Sequence, residues 1–275
     1  MSEIANADFS FVFITDTHIM AGGQYQPASG AFELDTQHTL SAVVEAIERL
    51  DHAPDFVVIG GDLASPDILD REATLSAADY EPSYELLVRT LAPLSCPVHM
   101  ILGNHDHRRA FKTVVRAERS PDDSPYRYSF GHQGYRFIFL DSHVSGQHAG
   151  RLDSAQCLWL KEELDAHVGV PTFVFVHHPP WSVDHPKLDT MGLEDGDAFI
   201  DQLRPYPDVK WVLCGHVHLD HHVQEGGLTL LSSASTCFQV DKLDPNAGAL
   251  AGPPALRTVR IRGERVATRT VQVPA

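Results

Sequence analysis

The stretch Pro97-Val98-His99-Met100-Ile101-Leu102-Gly103-Asn104-His105-Asp106 decides how the chain is read. A mostly apolar run that stops at a glycine marks a buried strand emptying into a loop. This loop carries an amide, an imidazole and a carboxylate in succession.

Working outward, four other runs end alike. Phe11-Val12-Phe13-Ile14 leads to Asp16 and His18, and Phe56-Val57-Val58-Ile59 passes Gly60 and Gly61 to reach Asp62. Phe173-Val174-Phe175-Val176 leads to His177 and His178, and Trp211-Val212-Leu213 passes Cys214 and Gly215 to reach His216 and His218. A lone Asp or His after a strand is usually a turn or cap residue. Recurrence after every apolar run predicts instead a sheet edge where nitrogen and oxygen donors gather.

The intervening segments fit such a sheet. Asp35 or Thr36 caps a helix running to Leu50, with Leu40, Val43, Val44, Ile47 and Leu50 on one face. A strand beginning at Pro54 follows, so the order is strand, helix, strand, the crossover of a parallel pair. Leu63 to Ala78 reads as a loop over the site, Pro82 to Leu91 and Phe111 to Arg119 as helices, and Tyr126 to Phe130 with Tyr135 to Leu140 as a hairpin. Asp153 caps a helix bearing Leu158, Trp159, Leu160 and Leu164, and Ala198 to Leu203 reads as a short helix. Thr229 to Ser233, Leu256 to Ile261 and Arg265 to Val273 read as strands, the last pair closing one sheet or its edge. The expectation is an α/β chain forming one domain over 1–275, with 240–275 a strand-rich extension of it.

With 275 residues and 43% hydrophobic content, the chain can bury a core of that size. A formal net charge of -16 argues against a nucleic-acid partner, which calls for a basic face. A small anionic substrate stays compatible, because bound cations reverse the local field. No apolar run approaches the roughly 18 residues that cross a bilayer, and the first ten residues lack the pattern of a signal peptide. The expectation is therefore no membrane and a cytoplasmic location. Cys96, Cys157, Cys214 and Cys237 form no CxxC pair and read as reduced core residues.

Collected, the candidate ligands are Asp16, His18, Asp62, Asn104, His177, His216 and His218. Imidazole, carboxylate and amide oxygen together suit Mn, Fe or Zn. The set is too large for one tetrahedral ion and fits a pair about 3.5–4 Å apart sharing a carboxylate. Extended backbone would keep Asp16 and His18 on one side, about 6.6 Å apart. Neighbouring strand residues face opposite ways, so only one of His177 and His178 should ligate. His107, His143, His221 and His222 lie close enough behind these motifs to be candidate substrate contacts.

Asp16-x-His18, Gly61-Asp62, Gly103-Asn104-His105-Asp106, His177 and Gly215-His216-x-His218 resemble, in order, the five signature blocks of the calcineurin-like metallophosphoesterases. Ile138-Phe139-Leu140-Asp141-Ser142, Gly150-Arg151-Leu152-Asp153, Trp159-Leu160, His177-His178-Pro179-Pro180 and Ser235-Thr236-Cys237-Phe238-Gln239 are similar to the bacterial class III cyclic-nucleotide phosphodiesterases and related glycerophosphodiesterases. The resemblance implies a two-layer mixed β-sheet sandwich flanked by helices, four layers in the order α-β-β-α.

It also implies two divalent or mixed-valence transition metal ions, Mn, Fe or Zn. One would be held by Asp16, His18, Asp62 and His218, the other by Asp62, Asn104, His177 and His216. A hydroxide bridging the ions would attack phosphorus in line, with His105 stabilising charge or protonating the leaving alkoxide and Asp106 orienting His105 or its loop. His18, Asp62, Asn104, His105 and His218 would touch the substrate, a small phosphodiester such as a 3′,5′-cyclic nucleotide. Phosphomonoesters, glycerophosphodiesters and nucleic acid are the alternative substrates on the same fold, and a non-catalytic metal-binding scaffold is the alternative of another class. Relatives of this type often form dimers or larger assemblies. Two departures bear on the substrate: Ala234 stands where the cyclic-nucleotide enzymes commonly have proline, and residues 63–81 are longer and more acidic than the family pattern.

Overall fold

Phenylalanine recurs at every second residue in β1 (Asp8–Ile14), β5 (Tyr135–Phe139) and β6 (Thr172–Phe175), and β2 (Phe56–Ile59) opens on one. Strand side chains alternate in direction, so each strand has an aromatic face and an aliphatic one. In the computed structural model, which describes residues 3–69 and 74–274, that alternation builds the layers. Phe9, Phe11, Phe13, Phe56, Phe137, Phe139, Phe173 and Phe175 meet in one cluster between two sheets. Val12, Ile14, Val57 and Ile59 turn the other way, toward helices α1 (Thr36–Glu48) and α2 (Ala77–Leu91). On the far side Ile138, Val174 and Val212 pack with residues of α4 (Ser154–Ala166) and α5 (Gly196–Leu203). The expected four layers, α-β-β-α, are present.

One sheet has five strands in the order β13-β12-β1-β2-β3, where β3 is Val98–Met100, β12 Ala255–Arg262 and β13 Arg265–Gln272. The other has six in the order β4-β5-β6-β7-β9-β8, where β4 is Tyr128–His132, β7 Val209–Cys214, β8 His221–Glu225 and β9 Leu228–Ser232. A small ladder pairs β10 (Gln239–Val240) with β11 (Ala249–Leu250). β1, β2 and β3 run parallel with Ile14, Ile59 and Met100 in register, and β5, β6, β7 and β9 are also parallel. The loops that follow these strands therefore leave the sandwich at one end, where α/β sheets place ligands. The closing strands do what the sequence indicated: β12 pairs antiparallel with β1, and β13 forms the outer edge.

Several boundaries differ from the sequence reading. α2 begins at Ala77, ahead of Pro82, because Ser76 and Asp79 form a capping box in which Asp79 Oδ2 accepts from Ser76 N at 2.7 Å. Pro82 lies in the second turn, where its missing N–H removes one helical bond without ending a helix whose buried face carries Tyr80, Tyr84, Leu87 and Leu91. The expected loop over 63–78 thus shrinks, and residues 70–73 of it fall outside the described residues. α3 (Arg108–Val114) starts and stops earlier than expected. Ala117 takes a left-handed conformation, φ 52°, just beyond it, which ends the helix.

β8 carries no apolar run and is not among the strands the sequence leads one to expect. It is a polar edge strand paired with β9 across Gly226 and Gly227, both at positive φ, and the glycine pair is the signal that marks such a hairpin. His221 and His222 lie on this strand rather than in the loop of His216 and His218.

The inter-sheet cluster makes a direct prediction. Phe11 is fully buried and its ring meets those of Phe56, Phe137, Phe173 and Phe175 at centroid distances of 5.1, 5.8, 5.4 and 6.1 Å. Phe11→Ala removes the hub of both inner faces and should cost about 3–5 kcal/mol, read as a lowered midpoint in urea unfolding.

Candidate metal centre

Each candidate ligand follows the C-terminal end of a parallel strand, and five adopt backbone that side chains usually avoid. Asp16, His18, Asp62, His216 and His218 have φ of 55°, 43°, 49°, 71° and 51°. Non-glycine residues in the left-handed region cost free energy, and such strain collects at functional sites. Here it corrects the sequence reading: Asp16 and His18 do not share one side of extended backbone. Two left-handed residues fold the segment back, bringing His18 Nε2 to 4.0 Å from Asp16 Oδ1.

Backbone contacts lock these loops together within each sheet, and a further contact joins the two sheets. Asp16 N donates to Gly61 O at 3.0 Å, His18 N to Asp62 O at 2.9 Å, and Gly215 N to His177 O at 3.0 Å. His216 N donates to both carboxylate oxygens of Asp16 at 3.1 Å. The approach leaves no room for a side chain at Gly103, where a Cβ would stand 2.2 Å from Asp62 Oδ1 and 2.7 Å from His177 Nε2.

The side chains then fall into two groups that share Asp62. In the first, His218 Nε2 lies 3.4 Å from Asp16 Oδ1 and 3.1 Å from His18 Nε2, and His18 Nε2 lies 3.8 Å from Asp62 Oδ2. In the second, His177 Nε2 lies 3.3 Å from Asp62 Oδ2, while His216 Nδ1 lies 2.8 Å from Asn104 Oδ1. Asp16, His18 and His218 form one donor group, and Asp62 joins others with His18 and His105 and with Asp16 and His177.

The remaining ring nitrogens are occupied in ways that aim the free ones inward. His177 Nδ1 donates to Gly60 O at 2.7 Å and His218 Nδ1 to Phe238 O at 2.7 Å, which leaves both Nε2 atoms as lone-pair donors. His18 Nδ1 meets Ser65 Oγ at 2.7 Å. His177 Nε2 and His216 Nε2 are buried without any hydrogen-bond partner, a costly state for a polar atom. Orphaned imidazole nitrogens beside buried carboxylates fit a cation, so the donor set passes this test for a transition metal pair.

Electrostatics agree. Burial opposes ionisation of Asp16 and Asp62, yet His218 beside Asp16 and His177 beside Asp62 bring both below the usual carboxylate range. Burial pushes His18 and His216 down to about 3, the neutral form that metal binding requires. His177 behaves oppositely: burial disfavours its charge, but Asp62 draws it up to about 9. The positive charge drawn to this spot is the charge a cation would supply.

His178 also lies close enough to His177 and His216 to form a donor group with them, but its ring is engaged elsewhere. Its Nε2 donates to His148 O at 3.1 Å and its Nδ1 contacts Ser142 Oγ at 2.7 Å, so both nitrogens are engaged. His177, by contrast, keeps an Nε2 with no hydrogen-bond partner.

Of the two residues expected to catalyse, His105 lines the cavity beside the candidate ligands and Asp106 does not. His105 Nδ1 lies 2.6 Å from Asp67 Oδ2, and its backbone N donates to Asp62 Oδ1 at 2.9 Å. Burial disfavours the imidazolium, but Asp62 and the Asp67 hydrogen bond raise it to about 9. Asp106 is buried elsewhere, accepting from Leu63 N, Ala64 N and Gly103 N and from the Tyr84 hydroxyl at 2.8 Å. It ties the Asp62 loop to the Asn104 loop, and its hydrogen bonds go to these backbones and to Tyr84 rather than to the His105 ring. Asp67, the actual partner of His105, was missed. Its one signal was an extra carboxylate in the polar segment behind Asp62.

His107 and His143 sit beside the site, His143 Nδ1 lying 3.0 Å from Gly103 O. The site opens on a cavity of about 430 Å³ that His105, His148, Lys187 and Phe238 help to line. Among the described residues no helix is long and apolar enough to cross a membrane, and the four cysteines are free.

A two-sheet sandwich whose parallel strands deliver histidines, aspartates and an asparagine to one buried cluster defines a metal-dependent phosphoesterase. A model of the calcineurin-like phosphoesterases matches residues 9–220, and the chain belongs to that family of hydrolases. It is 30% identical over 234 residues to the 3′,5′-cyclic adenosine monophosphate phosphodiesterase CpdA of Pseudomonas aeruginosa, covering 85% of this chain and 78% of that one. It is 26% identical over 230 residues to the glycerophosphodiester phosphodiesterase GpdQ of Enterobacter lignolyticus, covering 82% and 77%. A dimetal phosphatase from Danio rerio shares the fold, with a TM-score of 0.67 at 17% identity over 97% of this chain and 99% of that one.

Proposed function

We propose that the protein is a phosphodiesterase acting on a small diester, with a 3′,5′-cyclic nucleotide as the leading substrate. The observation that carries this reading is the pair of donor groups sharing Asp62, set beside His105 at the floor of a cleft. Asp16, His18, Asp62 and His218 would hold one cation, and Asp62, Asn104, His177 and His216 the other. Mn, Fe and Zn all suit these donors. When bound, such a pair supplies Lewis acidity and neutralises charge on phosphate oxygens.

The chain's own groups do the rest. His105, backed by Asp67, is placed to give a proton to the departing alkoxide. The bonds from Asp106 fix the Gly103 and Leu63 backbones, so that Asn104 and Asp62 keep their spacing without rearrangement during reaction. His18, Asp62, Asn104, His105 and His218 line the cavity a substrate would enter. Likeness to CpdA supports the cyclic nucleotide, and likeness to GpdQ supports glycerophosphodiesters as the second reading. A cytoplasmic location and a single functional unit over 1–275, with 240–275 as its strand-rich extension, belong to the same proposal.

The test is a panel of cyclic AMP, glycerophosphocholine, 4-nitrophenyl phosphate and single-stranded DNA, assayed with added Mn. Cyclic AMP should be turned over fastest and DNA not at all. Exclusive hydrolysis of the monoester would overturn the diester reading. Adding a chelator should also lower the thermal unfolding midpoint, since a ligand that binds only the folded state stabilises it.

A further inference from the structure

A second cavity lies beside the metal-centre cleft. Of about 660 Å³, it is lined by Asn104 and Asp67 together with Tyr80, His107 and Arg109. Asn104 also lines the cavity that holds His105, His148 and Lys187, so the two cavities share a candidate metal ligand as a wall. The His105–Asp67 pair is the partition between them, with His105 on one side and Asp67 on the other.

The second cavity carries unspent hydrogen-bonding capacity. Asp67 Oδ2 is committed to His105, but Asp67 Oδ1 is buried with no partner, and so is His107 Nδ1. Each such atom costs free energy unless something meets it. Arg109 adds an exposed guanidinium that forms no ion pair among the described residues, and Tyr80 adds an aromatic face next to the His107 ring, 5.3 Å between centroids. An acceptor, an imidazole and a guanidinium around an aromatic wall suit a carbon skeleton bearing hydroxyl groups. The Asp67 carboxylate is of a kind to accept from a hydroxyl, and His107 and Arg109 are of a kind to donate to one.

We propose that this cavity is the subsite for a hydroxyl-bearing ester arm of the substrate. The proposal rests on the phosphodiesterase reading above and extends it. A phosphorus atom seated near Asn104 reaches both cavities. For a cyclic nucleotide the arm is the ribose with its 2′-hydroxyl; for an acyclic diester it is the second alcohol.

Two substrate pairs differing only in hydroxyls test it on the Mn-loaded full chain: cyclic AMP against 2′-deoxy cyclic AMP, and 2,3-dihydroxypropyl against propyl 4-nitrophenyl phosphate. The hydroxylated member of at least one pair should be preferred about tenfold in kcat/KM, the worth of one or two hydrogen bonds. In His107→Leu and in Arg109→Ala that preference should shrink several-fold, while turnover of the deoxy or propyl member stays near wild type. Arg109 is exposed, so its variant keeps the test valid if His107→Leu fails to fold. Equal turnover within both pairs, or a preference that survives in the variants, overturns the subsite and leaves the phosphodiesterase reading intact. Hydrolysis of none of the four overturns both.

Discussion

Asp62→Asn is expected to lower phosphodiester hydrolysis by about a thousandfold while the protein stays folded. Asp62 is the one carboxylate that belongs to both donor groups, 3.8 Å from His18 Nε2 and 3.3 Å from His177 Nε2. Losing its charge weakens both cation positions together, and Lewis-acid stabilisation worth several kcal/mol corresponds to about three powers of ten in rate. Asparagine is the informative replacement because it keeps the shape and tolerates the left-handed backbone at φ 49°. Alanine would add backbone strain to the loss of charge. The check is kcat/KM with Mn, alongside near-ultraviolet circular dichroism to confirm intact packing.

His105→Ala should separate substrates by their leaving groups. With Asp67 fixing its Nδ1 at 2.6 Å and the ring lining the cavity, His105 is placed to protonate an oxygen as it departs. General acid catalysis is worth about 10²–10⁴ for an alkoxide, which cannot leave unprotonated. Nitrophenoxide leaves without a proton. The variant should therefore lose roughly a hundredfold or more on cyclic AMP and far less on bis(4-nitrophenyl) phosphate. Equal losses on both substrates would assign His105 to charge stabilisation instead.

The convergence of the candidate ligands was legible because its signal lay in position. Each donor follows an apolar run, and such runs are buried strands whose parallel ends share one level. The layers were legible for a related reason: Phe9, Phe11 and Phe13 are spaced two apart, so they had to share a face.

What escaped the sequence reading depends on contacts between distant segments. The left-handed backbone at Asp16 and His18 comes from bonding to Gly61 and Asp62, and residue type alone carries no mark of it. Asp67 sits in a segment without periodicity, and only the folded chain shows it reaching His105. Asp106 directly follows His105 yet bonds to Leu63, Gly103 and Tyr84, since a buried carboxylate goes where unpaired donors are. At α2 the error was local: Pro82 read as a start, although Ser76 and Asp79 cap the helix ahead of it.

The most direct test is a count of metal. Elemental analysis of the Mn-reconstituted protein after gel filtration should find about two ions per chain in the wild type, and markedly fewer in Asp62→Asn. One ion or none in a wild-type sample that hydrolyses phosphodiesters at full rate would contradict a paired centre built around Asp62.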